Sequence, residues 1–289
     1  MEFEAKITRR QALQTIALGT LVAACAIDRT GRQTLSGAQP SAEPELSPSP
    51  IVCNTPSMGP DASPIVSPVP SEAPRTELIL RPGEVVEHGD RSKPEIFFTI
   101  DDGWDKKEVI RILDIAKDLG ANLTFFAVGD NVVAFPEVWR RAYEEGHSIQ
   151  NHSMTHPNNI HQLPEDVIRK QITDQLEAVR NAIGVPDYIQ HSFRPPYGVG
   201  APPWYDLSPR LQKVCADLGL AITTWTSLSP AWDGKHTTRQ VEKALGSDIT
   251  NGSILVLHDE PADIKALPDL IKEAQQASLK PRNLDALFT

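Results

Sequence analysis

Cysteine is scarce in this chain of 289 residues, with only Cys25, Cys53 and Cys215. None belongs to a CxxC pair, so the sequence encodes neither a thiolate metal site nor a dense disulfide framework. Cys215 falls in a helical pattern and reads as a small buried apolar residue. Basic residues are also in deficit: 28 Lys+Arg against 38 Asp+Glu give a formal net charge of −10 and a sequence pI near 5.3. That balance argues against non-specific binding to nucleic acid or to an anionic membrane surface. The apolar run near the N-terminus is too short for a comfortable membrane span. Apolar residues as a class are plentiful, at 40%, enough for a substantial core in one large domain or two small ones.

The first 25 residues have the three-part build of an export signal: Arg9-Arg10, then the uncharged stretch 15–24, ending Leu21-Val22-Ala23-Ala24-Cys25. The paired arginines resemble a twin-arginine signal. The ending resembles a bacterial lipobox, in which Cys25 becomes the lipidated first residue; ordinary cleavage near Ala24 or Ala26 is the alternative. Between 39 and 75 proline recurs every few residues, from Pro40, Pro44 and Pro48 to Pro74. Such spacing holds neither a helix nor a central strand, and the segment lacks the large apolar residues of a core. The expected organisation is a signal over 1–25, a semi-rigid tether over 26–75 and a folded domain over 76–289. Location follows from it: exported, lipid-anchored at a bacterial cell surface or periplasmic face, with the membrane reached only through the anchor. Without the lipid, the expectation is a secreted protein.

After residue 75 strand and helix signals alternate. Strands are expected at 96–100, 123–128, 192–194, 221–226 and 253–257. Helices are expected at 106–119, 136–145, 164–183, 209–218, 238–245 and 262–277, several closed by glycine. Alternation of this kind implies parallel strands with helical crossovers, hence an α/β barrel or a doubly wound sheet. The chemistry-bearing residues follow strands: Asp101 and Asp102 the first, Arg194 a middle one, His258 and Asp259 the last. In α/β barrels the C-terminal ends of the strands share one mouth, so these separated groups can meet there.

Asp101 and Asp102 are adjacent at a strand end, where two carboxylates repel unless a cation is supplied. His152 and His156, at i and i+4, can converge on one ion from a helical turn or compact loop. One carboxylate and two imidazoles make the open, three-ligand pattern of a catalytic metal, and the second carboxylate is left for proton transfer. Asp101-Asp102-Gly103 alone would equally suit a turn and helix cap, but a cap needs no distant histidine pair. The residues point to metal-assisted hydrolysis. His147 reads as a helix-terminal residue and His161 as a surface or groove residue, neither as a ligand. Trp204, Tyr205, Trp225 and Trp232 fit a core or a sugar-stacking groove equally well.

Five segments in order resemble the polysaccharide deacetylases of the NodB-homology type, carbohydrate esterase family four, over roughly 95–259. They are Thr99-Ile100-Asp101-Asp102-Gly103, His152-Ser153-Met154-Thr155-His156, Arg194-Pro195-Pro196-Tyr197-Gly198, the Trp225–Trp232 stretch and Leu255-Val256-Leu257-His258. The resemblance implies a distorted, incomplete (β/α) barrel. It makes Asp102, His152 and His156 the metal ligands, Asp101 the general base and His258 the general acid. Arg194 would tune Asp101, and the Tyr197 backbone N–H would help to hold the oxyanion. Pro195, Trp232 and Leu255 would contact substrate. It further implies a monomer acting on an N-acetylated polysaccharide of peptidoglycan or poly-N-acetylglucosamine type. Zn²⁺ is the default ion, and Co²⁺, Ni²⁺ or Fe²⁺ suit the same donors. An O-acetyl esterase on xylan-like polymers would use the same residues.

The fourth segment departs from the family. Where the pattern places aspartates between two tryptophans, this chain has Thr226, Leu228 and Ala231; Trp225, Ser229 and Trp232 remain. In the family the first of those carboxylates supports the acid histidine. Its loss predicts that His258 is protonated less readily, unless Asp233, Asp259 or Glu260 substitutes, and predicts that Thr226→Asp restores the support. The emptied motif also motivates a rival of another class, a non-catalytic glycan-binding module on the same fold.

Overall fold

The computed structural model describes residues 80–201 and 207–288. Cys25, Cys53, the proline-rich stretch, Trp204 and Tyr205 lie outside the described residues. In chain order the strands are β1 (Val85–Val86), β2 (Glu95–Asp102), β3 (Thr124–Ala127), β4 (Ser148–Asn151), β5 (Ser192–Phe193), β6 (Ala221–Thr223), β7 (Ser227–Leu228), β8 (Ile254–His258) and β9 (Lys280–Pro281). The helices are α1 (Lys106–Asp118), α2 (Gly129–Ala134), α3 (Pro136–Glu144), α4 (Glu165–Ile183), α5 (Pro209–Asp217), α6 (Thr238–Gly246) and α7 (Pro261–Gln276).

The main sheet runs β1-β6-β5-β4-β3-β2-β8-β7, with β9 pairing β2 off this path, and these ladders are all parallel. β6 and β7 lie near opposite ends of that order, yet only residues 224–226 join them, so the sheet curls back on itself. This is the incomplete (β/α) barrel that the resemblance implied. The expected single strand over 221–226 is therefore two strands on different edges. It breaks where the carbonyls of Thr223 and Thr224 accept hydrogen bonds from the Arg194 guanidinium (3.2 and 2.9 Å).

Side-chain alternation builds two layers. Ile96, Phe98 and Ile100 of β2 face outward with Leu255 and Leu257 of β8, packed on Val109, Ile112, Leu267 and Ile271 of the helices. Phe97 faces inward with Phe126 and Ile254, filling the barrel. Both sets are buried, which explains the unbroken apolar run in β2. Cys215 is buried and unpaired in a separate cluster with Leu211, Val214 and Phe193. The sequence reading missed α2 and β4. β4 reads Ser-Ile-Gln-Asn, polar where it faces the barrel interior: Gln150 Nε2 reaches Ser148 Oγ and Asp285 (both 2.8 Å), and its Oε1 accepts from the Ser192 N–H (2.9 Å).

Candidate active site at the C-terminal ends of the strands

The parallel register sets the site. Asp101 lies directly opposite His258 across β2 and β8, and opposite Phe126 across β3. Neighbouring residues of a strand point to opposite faces, which would send Asp102 away from Asp101. Asp102 instead takes a left-handed backbone (φ 73°) that breaks the alternation at the strand end. Ser153 (65°), His156 (54°) and Tyr197 (58°) share that conformation, so four left-handed non-glycine residues gather at one mouth. Each costs on the order of 1–3 kcal/mol, tolerated only where the surroundings over-determine it.

The His152–His156 segment is a compact loop, held by hydrogen bonds in series. Asn151 Oδ1 accepts from the Ser153 N–H (3.0 Å), and Ser153 Oγ accepts from the His156 N–H (3.1 Å). The N–H groups of Gly129 and Asp130 donate to the carbonyls of Ser153 and Met154 (3.0 and 2.9 Å). A Cβ at Gly129 would come within 2.3 Å of Met154 Sδ and 3.0 Å of its Cα, so glycine is needed for that approach.

His152 Nδ1 donates to the Arg194 carbonyl (2.7 Å), which leaves Nε2 as the free ring nitrogen. That Nε2 lies 3.5 Å from Asp102 Oδ1, and His156 Nε2 lies 3.2 Å from the same oxygen. All three donor atoms fall within 4.8 Å of one another. Burial alone would raise the Asp102 pKa, but His156, His152 and His258 outweigh it and hold the carboxyl well below the usual range. Two imidazoles with orientation fixed by backbone, plus an ionised carboxylate, fit a divalent ion with open positions. The helix-cap role is not theirs, because the residue capping α1 is Asp105, whose carboxylate accepts from the Lys107 N–H (2.8 Å).

Arg194 is fully buried and heavily committed. One amino group donates to Asp101 Oδ1 (2.5 Å) and Thr99 Oγ1 (2.8 Å), and the guanidinium stacks 3.9 Å from the Phe126 ring centre. Burial pushes its pKa down against the opposing pull of Asp101. Asp101 is thereby fixed in place, with Oδ2 4.0 Å from His152 Nε2. Tyr197 belongs to a short 3-10 turn, Pro196–Gly198, and its exposed ring lies 4.7 Å from that of His156. Trp104, which the sequence reading passed over, meets His156 edge-on at 5.8 Å. Its signal was an aromatic immediately after Asp-Asp-Gly. Trp232 is exposed, whereas Trp225 packs against the Arg194 side chain and the interior cluster.

Two expected substrate contacts are corrected. Leu255 is fully buried and faces the helices. The residue of β8 that shares the His258 face is Val256, two positions before it, as strand alternation demands. Pro195 is likewise buried and caps the 3-10 turn, so its ring is spent on fixing that turn.

The fourth motif needs the largest correction. Thr226 Oγ1 donates to the Glu87 carbonyl (3.0 Å) and accepts from the Ile254 N–H (3.2 Å), at the opposite end of β8 from His258. Four residues of strand put it roughly 13 Å away. Ala231 is buried in the outer core. None of the three proposed substitutes is the carboxylate beside the ring. Asp259 accepts the Asp105 N–H (2.6 Å), Asp233 pairs with Lys235 and His236, and Glu260 stands at the N-cap of α7. The carboxylate beside the ring is Asp263, 3.8 Å from His258 Nδ1. His258 is accordingly not depressed: burial lowers its pKa, but hydrogen bonding to Asp263 and the charges of Asp102 and Asp101 raise it above its ordinary value. Asp259, buried and close to Asp102, is pushed up to about 7.

Residues 88–222 match the family model described as polysaccharide deacetylase. A peptidoglycan-N-acetylglucosamine deacetylase of Bacillus cereus is 28% identical over 205 residues, covering 69% of this chain and 70% of the relative. A chitooligosaccharide deacetylase of a Bradyrhizobium strain is 31% identical over 164 residues, covering 57% of this chain and 70% of the relative. A solved family 4 carbohydrate esterase pseudoenzyme of Bacillus anthracis has the same fold, at TM-score 0.64 and 22% identity over 72% of this chain and 69% of that one. A solved peptidoglycan N-acetylglucosamine deacetylase, bound to an N-hydroxybenzamide compound, gives TM-score 0.63 at 26% identity over 71% of this chain and 92% of that one. This chain belongs to the polysaccharide deacetylase family, the NodB-homology carbohydrate esterases.

Proposed function

We propose that the protein is a metal-dependent deacetylase that removes N-acetyl groups from a cell-wall or extracellular polysaccharide of peptidoglycan or poly-N-acetylglucosamine type. The observation that carries the reading is the convergence of Asp102, His152 and His156 beside the Asp101–His258 pair, at one end of the sheet. A divalent ion held by the three ligands supplies Lewis acidity toward an amide carbonyl and a water. Asp101, oriented by Arg194, takes the proton of that water. His258, on the neighbouring strand, gives a proton to the departing amine. The Tyr197 N–H, presented by its left-handed turn, donates to the oxygen that gains charge. Exposed Trp104 and Tyr197 flank His156, and together with Trp232 they offer faces on which sugar rings stack.

The test measures acetate and new free amines released from defined N-acetylated and O-acetylated polymers, with and without chelator. Matching acetate and amine, lost on chelation and restored by Zn²⁺ or Co²⁺, is the expected result. Acetate without amine would identify an O-acetyl esterase. Stoichiometric metal and sugar binding without acetate would identify a glycan-binding module. The proposal includes export with a lipid on Cys25; cells expressing Cys25→Ser should lose palmitate labelling of the protein.

A further inference from the structure

His258 closes β8 with a buried ring whose Nδ1 makes no hydrogen bond among the described residues. We propose that Asp263, in the first turn of α7, is the positioning residue that orients His258 and stabilises its imidazolium, doing from a helix what the Trp225–Trp232 segment no longer does. The inference rests on the deacetylase reading for its kinetic half only.

Asp263 is fully buried, and its two oxygens are fixed separately. Oδ1 accepts the Ser229 hydroxyl, and Oδ2 accepts the His258 backbone N–H (2.7 Å). The same Oδ2 stands 3.8 Å from Nδ1 of that ring. A buried carboxylate needs a cation or strong donors, and among the described residues the only ion pair it enters is with His258. The other charges around the ring are already engaged. Asp101 of β2 is paired with Arg194 of the strand beyond, Asp102 faces His152 and His156, and Asp259 accepts the Asp105 N–H. From the fourth-motif segment, Asp233 is held by Lys235 and His236. Asp263 is thus the carboxylate on the Nδ1 side, which leaves Nε2 for the reacting group. The raised pKa of His258 agrees with that placement.

The geometry also explains why Ser229 remains in an otherwise emptied motif. Its hydroxyl serves as donor to Asp263 and as acceptor for the Ala231 N–H (3.1 Å). The link runs from Ser229 through Asp263 to His258, and it joins the fourth motif to the acid without any of the missing aspartates.

The experiment is an NMR titration of the His258 Cε1–H in the full zinc-loaded chain, beside a pH profile of kcat/KM. Asp263→Asn keeps the shape and an acceptor for the backbone N–H but removes the charge. It should lower the His258 pKa by about one unit or more, move the alkaline limb down by the same amount, and leave KM and zinc content unchanged. Ser229→Ala, which frees Asp263 to turn, should give a smaller shift of the same sign and serves if Asp263→Asn does not fold. An unmoved His258 titration in the folded variant overturns the proposal. If the chain releases no acetate, a shifted titration still supports this role of Asp263 and refutes the deacetylase reading instead.

Discussion

At the scale of single residues, donors to the ion and handlers of protons should separate under mutation. Asp102→Ala or His156→Ala should remove bound metal and activity together, because each deletes one of three donors gathered within 4.8 Å. Asp101→Asn should keep the metal and lose turnover, by 10²-fold or more on the scale of a general base. Metal content by elemental analysis, set beside acetate release, checks both; full occupancy in Asp102→Ala would reject the ligand assignment. Thr226→Asp should leave the alkaline limb where it is, since Thr226 sits at the far end of β8 with its hydroxyl on Glu87. The ligand and proton-transfer candidates were legible because their types and order carry the chemistry. Leu255 was misplaced by one residue, an error that counting back by two from His258 along a strand would have avoided. Asp263 was invisible in the sequence, because its meeting with His258 depends on how α7 docks and not on any motif.

At the scale of elements, the loop between the two metal-site histidines depends on α2, which the sequence reading did not find. Gly129→Ala would drive a methyl into Met154, where backbone as well as side chain stands in the way. It should destabilise the protein by about 1–3 kcal/mol, as overpacking does, and weaken metal binding because Ser153 and Met154 hang from the first N–H groups of that helix. Urea denaturation and zinc titration measure the two effects, and a stable variant with unchanged affinity would show that the loop is held elsewhere. The longer helices were legible from their ends. Gly184 takes a left-handed conformation (φ 76°) at the close of α4, and Thr237 with Gln240 forms a reciprocal capping box at the start of α6. β4 was not legible, because a strand facing a polar barrel interior has no apolar alternation to read.

At the scale of the whole molecule, stability should respond to acid through His147. The sequence reading placed it at a helix end, and the structure buries it as a hydrogen-bond acceptor: its Nδ1 takes the Leu123 N–H (3.0 Å), which requires a neutral ring. Burial, helped by Arg141 and opposed by Glu145, lowers its pKa to about 4. The unfolded chain binds this proton from about pH 6.5 downward while the folded one refuses it. Stability therefore falls as pH drops from about 6.5 towards 4, by on the order of 3 kcal/mol, and is fully present above that window. Urea melts of chelated protein at pH 7.5 and 5 should show this loss, and His147→Gln should lose less between the same two values; equal slopes would assign the acid sensitivity to other groups.

The barrel was legible from alternation and order, but its incompleteness has a consequence for how these molecules behave towards one another. The main sheet ends in β1 and β7, each only two residues long. An exposed strand edge is a template on which a second chain can add its own backbone, and the hazard grows with the length of the edge. The two ends of this sheet offer only a few free amide and carbonyl groups apiece, against the eight residues of β2, whose neighbours cover it on both sides. Leaving the barrel open therefore carries little risk of edge-to-edge polymerisation, and concentrated solutions of the folded domain should resist fibre formation.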